Sequence, residues 1–362
     1  MATKPKSQEI DIDAYLKSIL PAVDKEIEKI VPRAFSNAWL SKTFGKPDFG
    51  YDADSLTKAL AVPIWNLLDR GGKRWRPGLL ILACESVGGK KETALKFTPL
   101  VELTHSGTLL VDDIEDSSEF RRGKPCIHKI FGVDIAVNAG NAMYYLPTAI
   151  LYNNYYKLNE HKRMRLHDLV SQELLKCHAG QAMDIFWHQG HKYDVSENEY
   201  LQMCAYKTGT LARLAAKIGA VLGNGNEKQI EALGKFAETV GVAFQIQDDI
   251  LNLVGEEFQK GKGVGEDIHE GKRTLMVIHC LQKGNPADKK RILEILNSHP
   301  EDQKTILEAI AILKKNGSIE YAREKATALV RDAWKKLDTE LSETNAKQTL
   351  HSFADYLVDR KI

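Results

Sequence analysis

The chain has 362 residues, 43% of them hydrophobic and 27% charged, with 50 basic side chains against 49 acidic ones and a formal net charge of +1. That composition suits a globular protein able to bury a large core, and the balanced charge removes any general case for nucleic acid or an anionic membrane as partner. Five cysteines, scattered singly with no CxxC pair, argue against a disulfide framework or a zinc cage and fit a reducing compartment. The N-terminus lacks the apolar segment of a signal peptide, and no apolar run approaches the roughly 20 residues that span a bilayer. A soluble, cytoplasmic protein without a transmembrane segment is expected.

Residues 1–50 read as a peripheral extension, with an opening helical region from Ile10 to Val31 that is kinked or broken at Pro21. After a loop from Ser41 to Tyr51, Ser55 to Leu68 reads as a further helix. GGKRWRP, Gly71 to Pro77, sets Lys73, Arg74 and Arg76 beside two flexible glycines, which suits phosphate contact by loop and side chain. It is not a Walker loop, since neither its spacing nor a following Ser or Thr matches. Leu79 to Val87 and Phe97 to Val111 are strongly apolar, as interior helices are, with a loop at Gly88 to Lys91 between them. Another loop is signalled from Ser117 to Pro125. No proline falls between Pro147 and Pro286, and LHDLVSQELLKCHAGQAMDIF and EALGKFAETVGVAFQIQDDIL place apolar residues three and four apart, the helical period. Loops follow at Gln189 to Ser196, Gly223 to Glu227 and Glu256 to Gly265. With no convincing run of strands and no short repeat, the expectation is a single all-α domain over residues 1–362, its central helices mostly buried.

LLVDDIEDSSEFRRGKP, Leu109 to Pro125, sets Asp112, Asp113, Glu115 and Asp116 against an apolar run and follows them with Arg121 and Arg122. Asp112 and Asp116 are four apart and share a helix face, where like charges repel by roughly 0.2–0.5 kcal/mol per pair. Converging hard oxygen ligands suit Mg²⁺, which favours carboxylates plus substrate phosphates; alone, the cluster also reads as a solvated acidic helix end. FQIQDDILNLVG repeats the theme with Asp248 and Asp249 inside another apolar run. Two such pairs suggest two carboxylate walls across one cavity, bridged by magnesium ions around an anionic, phosphate-bearing guest. Three basic stretches accompany them: GGKRWRP, Arg121 with Arg122, and Lys262 with Lys272 in GKGVGEDIHEGKRT. Together they suggest a site for two polyanions.

In their order, GGKRWRP, DDIEDSSEFRRG, GQAMD from Gly180, KTG from Lys207, FQIQDDILN from Phe244 and GEDIHEGK from Gly265 resemble the trans-isoprenyl diphosphate synthases, and most closely the eukaryotic-type geranylgeranyl diphosphate synthases. The resemblance implies an isoprenoid-synthase-type helical bundle around a deep central cavity. It also implies a head-to-tail condensation in which an allylic diphosphate ionises, isopentenyl diphosphate attacks the cation, and a proton is lost. By the same resemblance Asp112, Asp113 and Asp116 form the first Mg²⁺-binding motif and Asp248 and Asp249 the second, for about three ions per site. Arg121, Lys207 and Lys262, with Lys272 nearby, would hold the allylic diphosphate; Lys73, Arg76, His105 and Arg122 would hold isopentenyl diphosphate. Thr208 and Gln245 match positions beside the cation. Asn252 stands where many members carry an aspartate and is not expected on metal. A homodimer is implied as well.

Product length is read from small Gly107 and Thr108, one turn before Asp112, which would leave the pocket open at that level, and from Tyr144, Tyr145 and His178, which match a lower floor and imply a twenty-carbon product. Simple core or interface aromatics are the alternative for the tyrosines, and an ordinary interior residue for His178. Glu102 and His105 also make the ExxH spacing of di-iron bundles, but a second such motif is missing. A longer-chain synthase, a class I terpene cyclase and a non-catalytic partner subunit are the competing readings.

Overall fold

The helix Thr210–Leu222 buries every residue except Lys217, and the rest of the chain is arranged around it. A computed structural model describes residues 10–254 and 265–358, so Lys262 lies outside the described residues. Within them the chain runs through α1 (Ile12–Ile30), α2 (Asn37–Phe44), α3 (residues 53–68), α4 (Trp75–Ser86), α5 (Lys91–Leu95) and α6 (Pro99–Glu115). A hairpin of β1 (Phe120–Arg121) and β2 (Lys124–Pro125) leads into α7 (Ile127–Phe131), α8 (Val133–Tyr145), α9 (Ala149–Tyr152) and α10 (Glu160–Phe186). Then come α11 (Glu197–Cys204), the central α12 (Thr210–Leu222), α13 (Glu227–Val254), α14 (Glu266–His269) and α15 (Leu275–Lys283). The chain ends with α16 (Pro286–Ser298), α17 (Gln303–Lys315), α18 (Ser318–Asp338) and α19 (Asn345–Val358). The fold is all-α, as expected.

Helix α12 packs between α4 and α13, with α10 against a further side. Helix α4 is buried from Trp75 through Cys84. The two helices fill the interior, and the charge that α12 carries inward, Arg213, is paired with Glu173 and Glu238. None of the described helices is long and apolar enough to cross a membrane.

Helix α1 does not stand apart as a peripheral extension. It buries Ile12, Leu16, Ile19, Val23, Ile27 and Ile30, spaced three and four apart along one face, and packs on α4, α6 and α19. It also continues through Pro21 without a break. At roughly 1.5–3 kcal/mol for each fully buried aliphatic side chain, that stripe outweighs the ~3 kcal/mol cost of a mid-helix proline. Pro21 itself lies on the exposed face, where the carbonyl it deprives of a partner can turn to water.

The Ser117–Pro125 segment, expected as loop, contains the hairpin, with Phe120 opposite Pro125 and Arg121 opposite Lys124. Its two turn residues, Arg122 and Gly123, both have positive φ, 54° and 73°, as a two-residue turn matched to strand twist requires. The turn directs two adjacent arginines to different partners.

Candidate active site

Helix α6 is buried along most of its length and ends in the first aspartate cluster. Neighbouring residues on a helix diverge by about 100°, so Asp112 and Asp113 cannot face the same way. Asp113 is 1% exposed and accepts from Arg121 Nε at 2.8 Å. The Arg121 Nη2 group reaches the same carboxylate and lies 3.9 Å from Asp112. Asp113 therefore holds Arg121 in place rather than sharing the outward face of Asp112 and Asp116.

Asp112 accepts from Gln181 at 2.8 Å and from Lys207 Nζ at 3.2 Å. Burial alone would raise its pKa, but Lys207, Lys272 and Arg121 together hold the carboxyl well below its usual range. Lys207 also donates to Asp184 at 2.6 Å. Burial opposes its charge, yet Asp112 and Asp184 keep it firmly protonated. This contact depends on Gly180, because a Cβ there would come within 2.3 Å of the Lys207 backbone nitrogen. Only glycine lets α10 approach the wide helical turn at residues 205–209 so closely. Such turns recur at functional sites.

The second wall repeats the division. Asp248 is exposed, whereas Asp249 is buried. Asp249 accepts from the Tyr200 hydroxyl at 2.7 Å and from Gln245 at 2.8 Å, and burial, with Asp267 close by, raises its pKa strongly. Gln245 in turn accepts from the Thr208 hydroxyl at 2.7 Å. Tyr200, Asp249, Gln245 and Thr208 thus form one hydrogen-bonded chain that fixes the dipoles of Thr208 and Gln245. Asn252 is buried, and its side-chain oxygen accepts the Asp267 backbone N–H at 3.1 Å, so it serves the start of α14. Lys272 lies 3.6 Å from Asp116 and 3.5 Å from Asp267 and pairs with Glu270. It links Asp116 of the first wall to α14, whose Asp267 backbone is held by Asn252 of the second.

The donors fit hard cations. Asp116 Oδ1 is buried with no hydrogen-bond partner among the described residues, and desolvation, with Asp112 nearby, raises the Asp116 pKa. A bound cation would relieve both costs. No group of three or more His, Cys, Asp or Glu closes into a cage among the described residues.

A second charged region lies beside the 71–76 loop. Arg76 is buried, with its guanidinium 4.2 Å over the Trp75 ring. Arg122 donates to the Gly71 carbonyl and lies over Gly72. Burial, then Arg76, Arg122, Arg74 and Arg121, depress the His105 pKa well below 6.5, so its imidazole is neutral at pH 7. Burial and Arg74 likewise lower that of Arg122. Lys73 sits further out, donating to the Tyr356 hydroxyl at 2.7 Å. Glu102 is paired with Arg74 at 2.9 Å, which removes it from any di-iron reading.

Below, Tyr144 and His178 meet edge to face, ring centroids 5.4 Å apart. Tyr145 does not join them: it is 71% exposed against 5% for Tyr144, since adjacent helix positions again diverge. Gly107 does not face open space, contrary to the expected open pocket; a Cβ there would meet the Gly140 carbonyl at 2.8 Å and Tyr144 Cε1 at 3.2 Å. Its smallness permits the crossing of α6 with α8, directly above Tyr144. Thr108 is half-buried, its hydroxyl donating to the His105 carbonyl at 2.7 Å. A groove of about 940 Å³ between α11, α13 and α18 contains none of the residues expected at the site.

Sequence reasoning passed over Gln181, Asp184, Tyr200, Asp267 and Glu270. Asp184 and Asp267 lay inside the noted GQAMD and GEDIHEGK motifs, so their signal was available; Tyr200 carried none.

Paired carboxylate walls with lysines set among them, on a bundle of buried helices, define an all-α protein with a strongly charged centre. Residues 57–313 match the sequence profile of the polyprenyl synthetase family, and the chain belongs to that family. It is 36% identical over 297 residues to a short chain isoprenyl diphosphate synthase from Methanothermobacter thermautotrophicus, covering 82% of this chain and 89% of that protein. It is also 36% identical over 296 residues to a geranylgeranyl diphosphate synthase from Methanosarcina mazei, covering 82% and 88%. A crystal structure of geranylgeranyl pyrophosphate synthetase from Pyrococcus horikoshii superimposes with a TM-score of 0.83 at 32% identity, covering 96% of this chain and 98% of that one.

Proposed function

We propose that this chain is a trans-prenyltransferase that joins isopentenyl diphosphate head to tail to an allylic diphosphate, with geranylgeranyl diphosphate as its C20 product. The observation that carries the reading is the pair of lysines set among the carboxylates, Lys207 between Asp112 and Asp184 and Lys272 between Asp116 and Asp267, beside a separate arginine pocket. One region suits a diphosphate that leaves, the other a diphosphate that stays.

Asp112, Asp116 and Asp248 would hold Mg²⁺, about three ions in all, whose Lewis acidity stabilises charge on the leaving diphosphate when bound. Asp113 keeps Arg121 aimed at the same diphosphate, and Lys207 contributes a fixed positive charge. As the C–O bond breaks, the allylic cation would lie near Thr208 and Gln245. The Thr208 hydroxyl gives its proton to Gln245, so its oxygen lone pairs are free to face positive charge, a preorganised dipole of the kind that lowers barriers. Arg76, Arg122 and neutral His105 would position isopentenyl diphosphate so that its double bond attacks the cation carbon. The released diphosphate is the proton acceptor that this reading favours.

The Tyr144–His178 contact supports a floor at the C20 level. The exposure of Tyr145 thins that floor and makes a longer prenyl chain the second reading. The apolar side chains left exposed on α8 and α10, Val133, Tyr145, Leu175 and Phe186, support a homodimer. A product assay with labelled isopentenyl diphosphate, Mg²⁺ and C5, C10 or C15 allylic diphosphates tests the function. A sharp C20 product is expected; longer chains would sink the floor, and no condensation with any starter would sink the synthase reading.

A further inference from the structure

Arg74 lies between two residues expected on isopentenyl diphosphate, Lys73 and Arg76, yet its side chain turns the other way. It is 4% exposed, and each of its three nitrogens is taken within the protein. Nε donates to Asp24 of α1 at 3.2 Å, Nη1 to Glu102 of α6 at 2.9 Å, and Nη2 to the Leu68 carbonyl at the end of α3 at 3.1 Å. Through one side chain Arg74 thus ties the 71–76 loop to three helices.

Its backbone is unusual too. Arg74 has φ 48° and ψ 38°, a left-handed conformation directly before the first residue of α4. An arginine gains nothing locally from that conformation, which costs an L-residue roughly 1–2 kcal/mol, so the three side-chain contacts must hold it there. The left-handed step sends Lys73 outward while Arg76 enters the buried first turn of α4. Glu102 lies three residues before His105 on α6, so the same ion pair sets the register of the loop against the imidazole.

We infer that Arg74, through its ion pair with Glu102, is the positioning residue of the isopentenyl diphosphate pocket: it touches no substrate but sets Lys73, Arg76 and His105 relative to one another. This rests on the assignment of that pocket under the proposed function. A planar guanidinium can serve three acceptors in fixed directions, whereas an ammonium on a flexible stem cannot.

The test is steady-state kinetics with both substrates varied, alongside calorimetric binding of isopentenyl diphosphate. Arg74→Lys keeps the charge but loses the fork. It is expected to raise KM for isopentenyl diphosphate at least tenfold while moving KM for the allylic diphosphate less than twofold, with kcat nearly unchanged. A general loss of structure would move both KM values. Should Arg74→Lys not fold, the double variant Arg74→Met with Glu102→Met leaves no buried charge and is expected to fold with the same one-sided defect. An unchanged KM for isopentenyl diphosphate in either folded variant, or an equal rise for both substrates, overturns the inference. Absence of condensation by the unmodified chain would instead overturn the function on which the inference rests.

Discussion

Between α6 and α13 the charged groups alternate in sign, Lys207 and Lys272 lying among Asp112, Asp116, Asp184 and Asp267. Beside the 71–76 loop cations predominate: Arg74 is paired with Glu102 and Asp24, and Arg121 with Asp113, while Arg76 and Arg122 lie by neutral His105. The first region would repel a bare diphosphate from its carboxylates and needs cations to receive one. The second already carries the counter-charge and suits direct, metal-free contact, since guanidinium groups match phosphate oxygens in pairs. Under the proposed function, two sites within one family fold would bind their anions by opposite routes.

Each aspartate pair contains a smaller version of that contrast, and it yields the largest expected effect. Asp112→Ala and Asp248→Ala should lower kcat by about 10³-fold or more while leaving the thermal melt nearly unchanged, because both face the ion-binding side. Asp249→Ala should instead cost about 1–3 kcal/mol of stability, since the Tyr200 hydroxyl and the Gln245 amide lose a buried partner. Melts and single-turnover rates separate the two classes. An unperturbed rate for Asp112→Ala would break the contrast.

Arg122→Gln comes next. Removing one charge from this cation-rich region should raise KM for isopentenyl diphosphate by about 10²-fold, the scale of a lost charge-assisted hydrogen bond at 1.5–3 kcal/mol, with the allylic KM within about threefold. Tyr144→Ala should lengthen the product by one or more C5 units with little change in turnover, and Tyr145→Ala should leave length unaltered; chromatography of the dephosphorylated products reads both.

The smallest effect concerns His105. Its folded pKa is held well below the ordinary value by burial and the surrounding arginines, so below about pH 6.5 the unfolded chain takes up a proton that the folded chain does not. Its contribution to stability is therefore present above that pH and is lost as pH falls below it. Melts from pH 7.5 to 5.5 should drop less steeply for His105→Gln than for the unmodified chain, and the variant should keep most of its affinity for isopentenyl diphosphate at pH 7, because the imidazole it replaces carries no charge there.

Much of this centre could be read from spacing. The four-residue separation of Asp112 and Asp116 puts both on one helix face whatever the fold, and the order of motifs pointed to the family. What spacing could not show is the rotational phase of each helix against its neighbours. That phase turns Asp113 and Asp249 inward and Tyr145 outward, and it is set by packing of distant segments. The Arg74–Glu102 pair joins positions far apart in the chain, beyond any local pattern. The apolar stripe of α1 is present in the sequence at spacings of three and four, but the helices it packs on, α4, α6 and α19, lie far along the chain and leave no local signal.

The most direct test of the two-route account is calorimetric binding with and without EDTA, using isopentenyl diphosphate and a non-ionisable allylic diphosphate analogue. The account predicts that isopentenyl diphosphate binds with similar affinity in EDTA and in Mg²⁺, while the allylic analogue binds only when Mg²⁺ is present. Loss of isopentenyl diphosphate binding in EDTA, or undiminished binding of the allylic analogue there, would contradict it.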